Sequence, residues 1–233
     1  MRGARNFIIL SARSEKRVRL RKRSSTLRSK RLLRHERNLS RSGYTLIAGV
    51  DEAGRGPLAG PVVACAVILK ELDFDSEIDD SKKLSEKKRE KAYPEIFKKA
   101  FVGVGIVDEK TIDSLNIYRA TIKAMEEALS DLGVSPDYVI VDGRVRLSIE
   151  SPVKCIIRGD SESLSIAAAS IVAKVTRDRI MIEYDKKYPQ YGFKNHKGYP
   201  TRRHKEAILR YGPVDIHRKS FAPVRDCPVT RPD

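Results

Sequence analysis

The chain has 233 residues, with 47 Lys and Arg against 31 Asp and Glu, a formal charge of +16. The excess is local: residues 1–43 hold 15 basic residues against Glu15 and Glu36, net +13, and the other 190 residues hold 32 against 29, net +3. The longest apolar run, Val62–Leu69, is eight residues, where a membrane-spanning helix needs roughly 20, and Phe7–Leu10 is too short for the apolar core of a secretory signal. Cys65, Cys155 and Cys227 are odd in number and lack C-x-x-C spacing, which argues against a disulfide framework or a zinc knuckle. A cytoplasmic, non-membrane protein is the expectation.

Residues 1–43 read as a basic arm without stable structure, since charge blocks such as Arg17–Arg23 repel themselves and show no sustained apolar stripe. A solvated tail, a misassigned start, a nucleic-acid-binding arm and an Arg/Ser-rich transit peptide are all open readings. The body, 44–233, has the length of one compact domain. Within it 46–50 reads as a short buried strand and 61–69 as a second, with a glycine-rich connection between them. Residues 101–107 make a third strand, which suggests an antiparallel meander. The pattern then alternates: a helix over 117–132, a strand over 138–141, another over 153–157, and a long helix over 163–184. A last helix, 202–211, stops at Gly212-Pro213. A meander followed by β-α-β units predicts an α/β protein, a mixed sheet with helices packed on it.

Four acids stand where such a sheet forms its crevice. Asp51 and Glu52 follow the first apolar strand, Asp142 follows Val139-Ile140-Val141, and Asp160 stands at the mouth of the long helix. Acids converging there would repel, and burying them unpaired is costly. Divalent cations relieve that repulsion, and two such ions can clamp an in-line phosphoryl displacement. Neighbours on a regular strand point to opposite faces, so Asp51 and Glu52 are expected to share a site only if the strand breaks there. Duller readings exist: Asp142-Gly143 is a common turn pair, and Asp160 could simply cap the helix.

Gly54-Arg55-Gly56 lacks dinucleotide-loop spacing. It offers positive φ and close backbone approach to a ligand, and Arg55 adds a planar donor fork suited to phosphate. An ordinary tight turn with a surface arginine is the alternative. Lys82 to Lys91 reads as a solvated helix face, although Lys82 and Lys83 could contact phosphates. The four histidines, His35, His196, His204 and His217, form no close pair in sequence, and His204 and His217 read as structural or phosphate-facing rather than as metal ligands.

The stretch Ile47–Val62, containing Asp51-Glu52-Ala53-Gly54-Arg55-Gly56-Pro57-Leu58-Ala59-Gly60-Pro61, resembles the opening signature of bacterial ribonuclease HII. Further matches follow in order: Asp80-Ser81-Lys82-Lys83-Leu84-Ser85, Val141-Asp142-Gly143, Gly159-Asp160, 167–178, and Gly198-Tyr199-Pro200-Thr201 with His204. The resemblance runs from about Tyr44 to Val224 and leaves out the arm. It implies a ribonuclease-H-like fold with a mixed five-stranded sheet flanked by helices, and a short helical C-terminal extension from about residue 190. It implies cleavage of the RNA strand of RNA–DNA hybrids and of DNA 5′ of embedded ribonucleotides, leaving 5′-phosphate and 3′-hydroxyl ends. The role would be removal of misincorporated ribonucleotides and RNA primers in replication and repair.

By motif position the resemblance makes Asp51, Glu52, Asp142 and Asp160 the catalytic metal ligands, for two Mg²⁺ or Mn²⁺ ions with substrate bound. One ion, on Asp51, Asp142 and Asp160, would activate water; the other, on Asp51 and Glu52, would stabilise the leaving 3′-oxygen. Gly54, Arg55 and Gly56 would sense the ribose 2′-hydroxyl, the group that distinguishes RNA from DNA. Tyr199 would pack on the sugar of the following deoxynucleotide. A monomer is expected, and a sliding clamp is a conceivable partner although the C-terminal residues 227–233 carry no clear motif for one. A junction resolvase would share the acids but gives no reason for Gly54-Arg55-Gly56 and Tyr199. Ribonuclease HIII differs in its glycine loop. A basic nucleic-acid-binding protein without activity is the non-enzymatic rival.

Overall fold

The structure, a computed structural model, describes residues 32–227. Five strands, β1 (Ile47–Ala53), β2 (Val62–Leu69), β3 (Ala100–Val107), β4 (Tyr138–Asp142) and β5 (Val153–Ile156), form one mixed sheet in the order β3-β2-β1-β4-β5. The first three make the antiparallel meander, and β4 and β5 add to β1 in parallel. The helices are α1 (Arg34–Arg41), α2 (Glu86–Lys99), α3 (Glu109–Leu115), α4 (Ile117–Ser130), α5 (Leu164–Lys187), α6 (Phe193–His196) and α7 (Arg202–Tyr211).

The unbroken apolar sequence of β2 follows from its central place: a strand covered on both faces has no polar side to alternate with. Val63, Cys65 and Val67 pack toward α2 and α5, while Val62, Ala64, Ala66 and Ile68 pack toward the Ala120, Ala124, Met125 and Ala128 stripe of α4. Each fully buried aliphatic side chain of this kind contributes about 1.5–3 kcal/mol. The small residues Ala167, Ala168 and Ala169 let α5 lie directly on the sheet, all three without exposed surface. At Gly49 a Cβ would fall 2.4 Å from the Ile166 nitrogen, so β1 and the start of α5 approach as closely as backbone allows.

Helix starts are fixed by side-chain caps. Ser85, Asp108, Asn116, Ser163 and Thr201 each accept a backbone N–H at the head of α2, α3, α4, α5 and α7. The helical extension that follows α5 has its own small core, in which Leu58 and Ala59 meet Met181, Tyr191, Phe193 and Ile208. The helices α2 and α3 add to the elements expected from the pattern, and the basic stretch expected as a solvated face lies on the approach to α2 and its first turns.

The structure differs from the expected arm over residues 32–43. Arg34–Arg41 is helical, Leu32 and Leu33 are buried against the layer formed by α2 and α5, and Leu39 packs beside Ile47, Ile140, Ile156 and Ile166. Three leucines set among charges carry too little periodicity to read as a stripe, yet each finds a prepared apolar contact. Residues 1–31, which hold 12 of the 15 basic residues of 1–43, lie outside the described residues, as do 228–233.

Candidate active site

The parallel register of β1 and β4 brings the first two acids together. The ladder ends at the pair Val50 and Val141, so Asp51 and Asp142, the next residue on each strand, emerge side by side. Asp160 arrives from the 3₁₀ turn Gly159–Ser161 that leads into α5. That turn is tied to β4, because the Asp142 carboxylate accepts the Gly159 N–H at 2.6 Å. Carboxylate oxygens of Asp51, Asp142 and Asp160 all lie within 4.8 Å of one another.

Glu52 stands next to this triad rather than in it. The break that a shared site would require does not occur: β1 stays paired with β2 through Glu52 opposite Ala64 and Ala53 opposite Val63. The Glu52 N–H donates to the Asp51 carboxylate at 2.8 Å, and the Glu52 carboxylate faces Arg55 at 3.3 Å. It still acts on the triad through space. Burial pushes the Asp51 carboxyl well above its ordinary range, and the charges of Glu52 and Asp142 push it further. Burial likewise raises Glu52, opposed by Arg55, and raises Asp160, assisted by Asp80 and Asp142.

Such a set of crowded, buried carboxylates is electrostatically incomplete. Lys82, 3.6 Å from Asp160, is the cation closest to offsetting it among the described ion pairs, and its side chain is largely in solvent. An all-oxygen donor set of this kind suits Mg²⁺ or Mn²⁺, and the raised proton affinities, caused first by burial and then by like charge, are what a divalent ion would offset. Lys83 sits one step away, with its ammonium on Asp80 at 3.3 Å and donating to Ser161 at 2.8 Å.

The glycine loop borders the triad and is held from beneath by two buried arginines. Gly54 has φ +98, a conformation that excludes a side chain. Arg218 donates to the carbonyl oxygens of Gly54 (2.6 Å), Arg55 (3.1 Å) and Gly60 (2.7 and 2.9 Å). Arg177 on α5 donates to Ala59, Pro61 and Lys197. With their acceptors all backbone, both guanidiniums lose hydration without a carboxylate in direct contact, and burial lowers Arg177 to about 10 and Arg218 to about 9. The Arg55 side chain itself is about half exposed.

Arg177 also connects the loop to the turn carrying Tyr199. The Tyr199 ring is 41% exposed, lies beside Gly56, and has Lys174 and Arg177 on its face at 6.0 and 5.9 Å. Lys174 donates to Asp178 at 2.6 Å and so belongs to this flank rather than to the carboxylates. Behind Tyr199 histidines that are far apart in sequence meet in space. His204 and His217 are buried with ring nitrogens 3.1 Å apart, and His196 stacks on His204 at 4.5 Å. The helix α7 and the segment after Gly212 fold back on each other, which brings residues 13 apart into contact.

Arg177, Arg218 and the histidine pair are absent from the residues expected to form the site. Arg177 falls inside a motif-matching run, which was the available signal. Nothing local marks Arg218, because its partners lie up to 164 residues away and are backbone atoms.

Comparison with known proteins now adds to the geometry. The family model described as ribonuclease HII matches residues 48–224. The ribonuclease HII of Bacillus licheniformis is 56% identical over 194 residues, covering 82% of this chain and 74% of that protein. Among solved structures, the ribonuclease H2 from Pyrococcus horikoshii OT3 superposes with a TM-score of 0.68 at 30% identity, covering 78% of this chain and 96% of that one. The ribonuclease HII in the PCNA complex from Archaeoglobus fulgidus gives 0.64 at 26% identity, covering 76% and 95%.

Proposed function

The chain belongs to the ribonuclease HII family and is a ribonuclease H, and on that premise we propose that it is a divalent-metal-dependent endonuclease that cuts RNA in RNA–DNA hybrids and nicks duplex DNA 5′ of an embedded ribonucleotide. The observation that carries this reading is the mutually repelling triad of buried Asp51, half-buried Asp142 and buried Asp160 beside the Gly54–Gly56 loop. The three aspartates, with Glu52 on their flank, would hold the ions. When bound, Mg²⁺ or Mn²⁺ would neutralise these acids, lower the pKa of the attacking water and offset charge on the leaving 3′-oxygen.

The remaining work falls to the chain's own groups. Because Arg218 takes the carbonyls of Gly54 and Arg55 from inside the protein, that edge of the loop faces inward, and its other edge is left to meet the ribose. The 2′-hydroxyl both donates and accepts, which makes it a distinct target for backbone groups. Arg55, held near Glu52, is placed to offer its fork to a phosphate. Tyr199 lies close enough to Gly56 to cover the next sugar, and a ring face there disfavours a second 2′-hydroxyl by shape. Lys82 and Lys83 can reach backbone phosphates from the rim. The products would carry 5′-phosphate and 3′-hydroxyl ends, and the role would be removal of ribonucleotides left in DNA and of RNA primers. Membership of the same family as the Archaeoglobus protein, seen with PCNA, makes a sliding clamp the protein partner to examine.

The test is a duplex carrying one ribonucleotide, incubated with Mg²⁺, with Mn²⁺, and with EDTA. Metal-dependent nicking on the 5′ side of that ribonucleotide supports the proposal. Binding without cleavage under all three conditions would refute it.

A further inference from the structure

The helix α1 precedes the segment matched by the family model, yet one of its side chains reaches the turn that carries Asp160. A single oxygen of Glu36 accepts three hydrogen bonds: from the Ser163 hydroxyl at 2.6 Å, the Ser165 N–H at 3.0 Å and the Ser165 hydroxyl at 2.9 Å. The two serines are fully buried. Ser163 is the cap of α5, its hydroxyl accepting the Ile166 N–H at 3.2 Å, and its own N–H donates to the Gly159 carbonyl at 2.8 Å. Asp160 lies between these two anchors. On one side Gly159 is held by the Asp142 carboxylate, and on the other Ser163 is held by Glu36.

The contact is built into the fold. Leu32 and Leu33 before Glu36 and Leu39 after it pack into two different apolar clusters, so the helix cannot slide without leaving both. Gly49 of β1 leaves room for nothing larger than hydrogen beside Ser165 and Ile166, so the start of α5 is gripped between the sheet and Glu36. Arg34 adds a longer, exposed contact to Glu162 at 3.8 Å, which is expected to contribute little.

We propose that Glu36 is a positioning residue for the metal site: by fixing Ser163 and Ser165 it holds the Asp160 turn where its carboxylate meets Asp51 and Asp142. The proposal rests on the reading of Asp160 as a metal ligand. Groups that orient metal ligands characteristically change metal affinity by about 10–100-fold when removed. Glu36→Ala is therefore expected to weaken Mn²⁺ binding by about that factor, and to raise the Mn²⁺ concentration for half-maximal cleavage in parallel. The KM for hybrid at saturating Mn²⁺ should stay near the parent value, since Glu36 touches no expected substrate contact. Glu36→Gln keeps an oxygen that can accept all three bonds and should restore Mn²⁺ affinity.

The experiment titrates Mn²⁺ into the full chain without nucleic acid, followed by electron paramagnetic resonance, for the parent, Glu36→Ala, Glu36→Gln, Ser165→Ala and Asp160→Asn. Thermal unfolding in EDTA is recorded beside it. Weakened binding in Glu36→Ala with recovery in Glu36→Gln supports the proposal. A smaller loss in Ser165→Ala, which removes one donor, supports it even if Glu36→Ala fails to fold. Parent affinity in Glu36→Ala and Ser165→Ala, with only a lower Tm, overturns it. Parent affinity in Asp160→Asn overturns the site reading itself, and the proposal with it.

Discussion

His217 Nε2 lies 3.1 Å from His204 Nε2, inside a chain of hydrogen bonds that ends at the carbonyl of Tyr199. The Val214 N–H donates to His217 Nδ1 at 2.9 Å, which makes Nε2 of His217 the protonated nitrogen. It donates to His204, whose Nδ1–H donates to Tyr199 at 3.0 Å. Each ring therefore carries one proton and neither can take a second without placing two N–H groups face to face. Burial first, and then the neighbouring ring, lowers His217 to about 4; burial chiefly lowers His204 to about 4 as well. An unfolded chain binds protons at these rings near pH 6.5 and the folded one does not, so the pair's contribution to stability should fall as pH drops from about 6.5 toward 4 and be constant above it. Urea unfolding of the parent and His217→Gln across that window checks this. Equal pH slopes in both proteins would contradict it.

Asp51→Asn should abolish cleavage while hybrid binding survives, as measured by nicking and by fluorescence anisotropy. The same substitution should raise the Tm in EDTA at neutral pH. A carboxyl whose proton affinity is raised by burial and by like charge favours the fold at low pH and loses that contribution as pH rises. The neutral amide removes this loss. Added Mg²⁺ should raise the Tm of the parent by mass action on the folded state, and raise that of Asp51→Asn less.

How much of this was legible in the sequence depends on the range of the interaction. The meander, the long helix and the acids after apolar runs are local patterns, and the structure has them in place. The rule of opposite faces on a regular strand made a shared site for Asp51 and Glu52 conditional on a break there, and the ladder continues to Ala53. Glu52 remains outside the carboxylate triad and acts on it through its charge and through its N–H to Asp51. The Glu36 contact spans 129 residues and the Arg218 contacts up to 164. The partners of Glu36 are a helix cap and its neighbour, and those of Arg218 are backbone carbonyls, for which no residue pattern codes. The helix at Arg34–Arg41 was hidden for a different reason, since its apolar contacts come from three leucines amid basic residues.

Arg55→Ala should erode the preference for a ribonucleotide over a deoxynucleotide more than it harms folding. Its side chain is about half exposed and its one ionic partner, Glu52, is at 3.3 Å, a kind of pair worth about 0–1 kcal/mol. The ratio of kcat/KM for a one-ribonucleotide duplex and its all-DNA counterpart reads the first effect, and a urea midpoint reads the second. An unchanged ratio would remove Arg55 from the recognition loop.

Arg218→Lys should do the opposite and act through the loop's support. An ammonium cannot reproduce a fork that spans three carbonyls, and each buried carbonyl left unpaired costs about 1–3 kcal/mol. Stability should drop by about 2 kcal/mol or more, with a higher KM for the one-ribonucleotide duplex. Because Arg218 contacts no carboxylate of the triad directly, Mn²⁺ affinity should hold. A variant with parent stability would show that the loop supports itself.

The basic arm is best tested by cutting at two places. A chain beginning at Leu32 loses 12 of the 15 basic residues that precede position 44, yet keeps Leu32, Leu33 and Glu36. Phosphate contacts release counterions, so each one lost flattens the dependence of log affinity on log salt by about 0.9. The shorter chain should bind hybrid more weakly at low salt, with a shallower salt slope, and cut at the same position. A chain beginning at Tyr44 removes three further arginines, Arg34, Arg37 and Arg41, and also the Glu36 contact, so it alone should show weakened Mn²⁺ binding and a lower Tm. Equal Mn²⁺ binding by the two truncations would contradict the positioning role of Glu36. Anisotropy titrations between low and physiological salt, run beside the Mn²⁺ titrations, give both slopes, and a shifted cleavage position in the chain beginning at Leu32 would assign the arm to site selection instead.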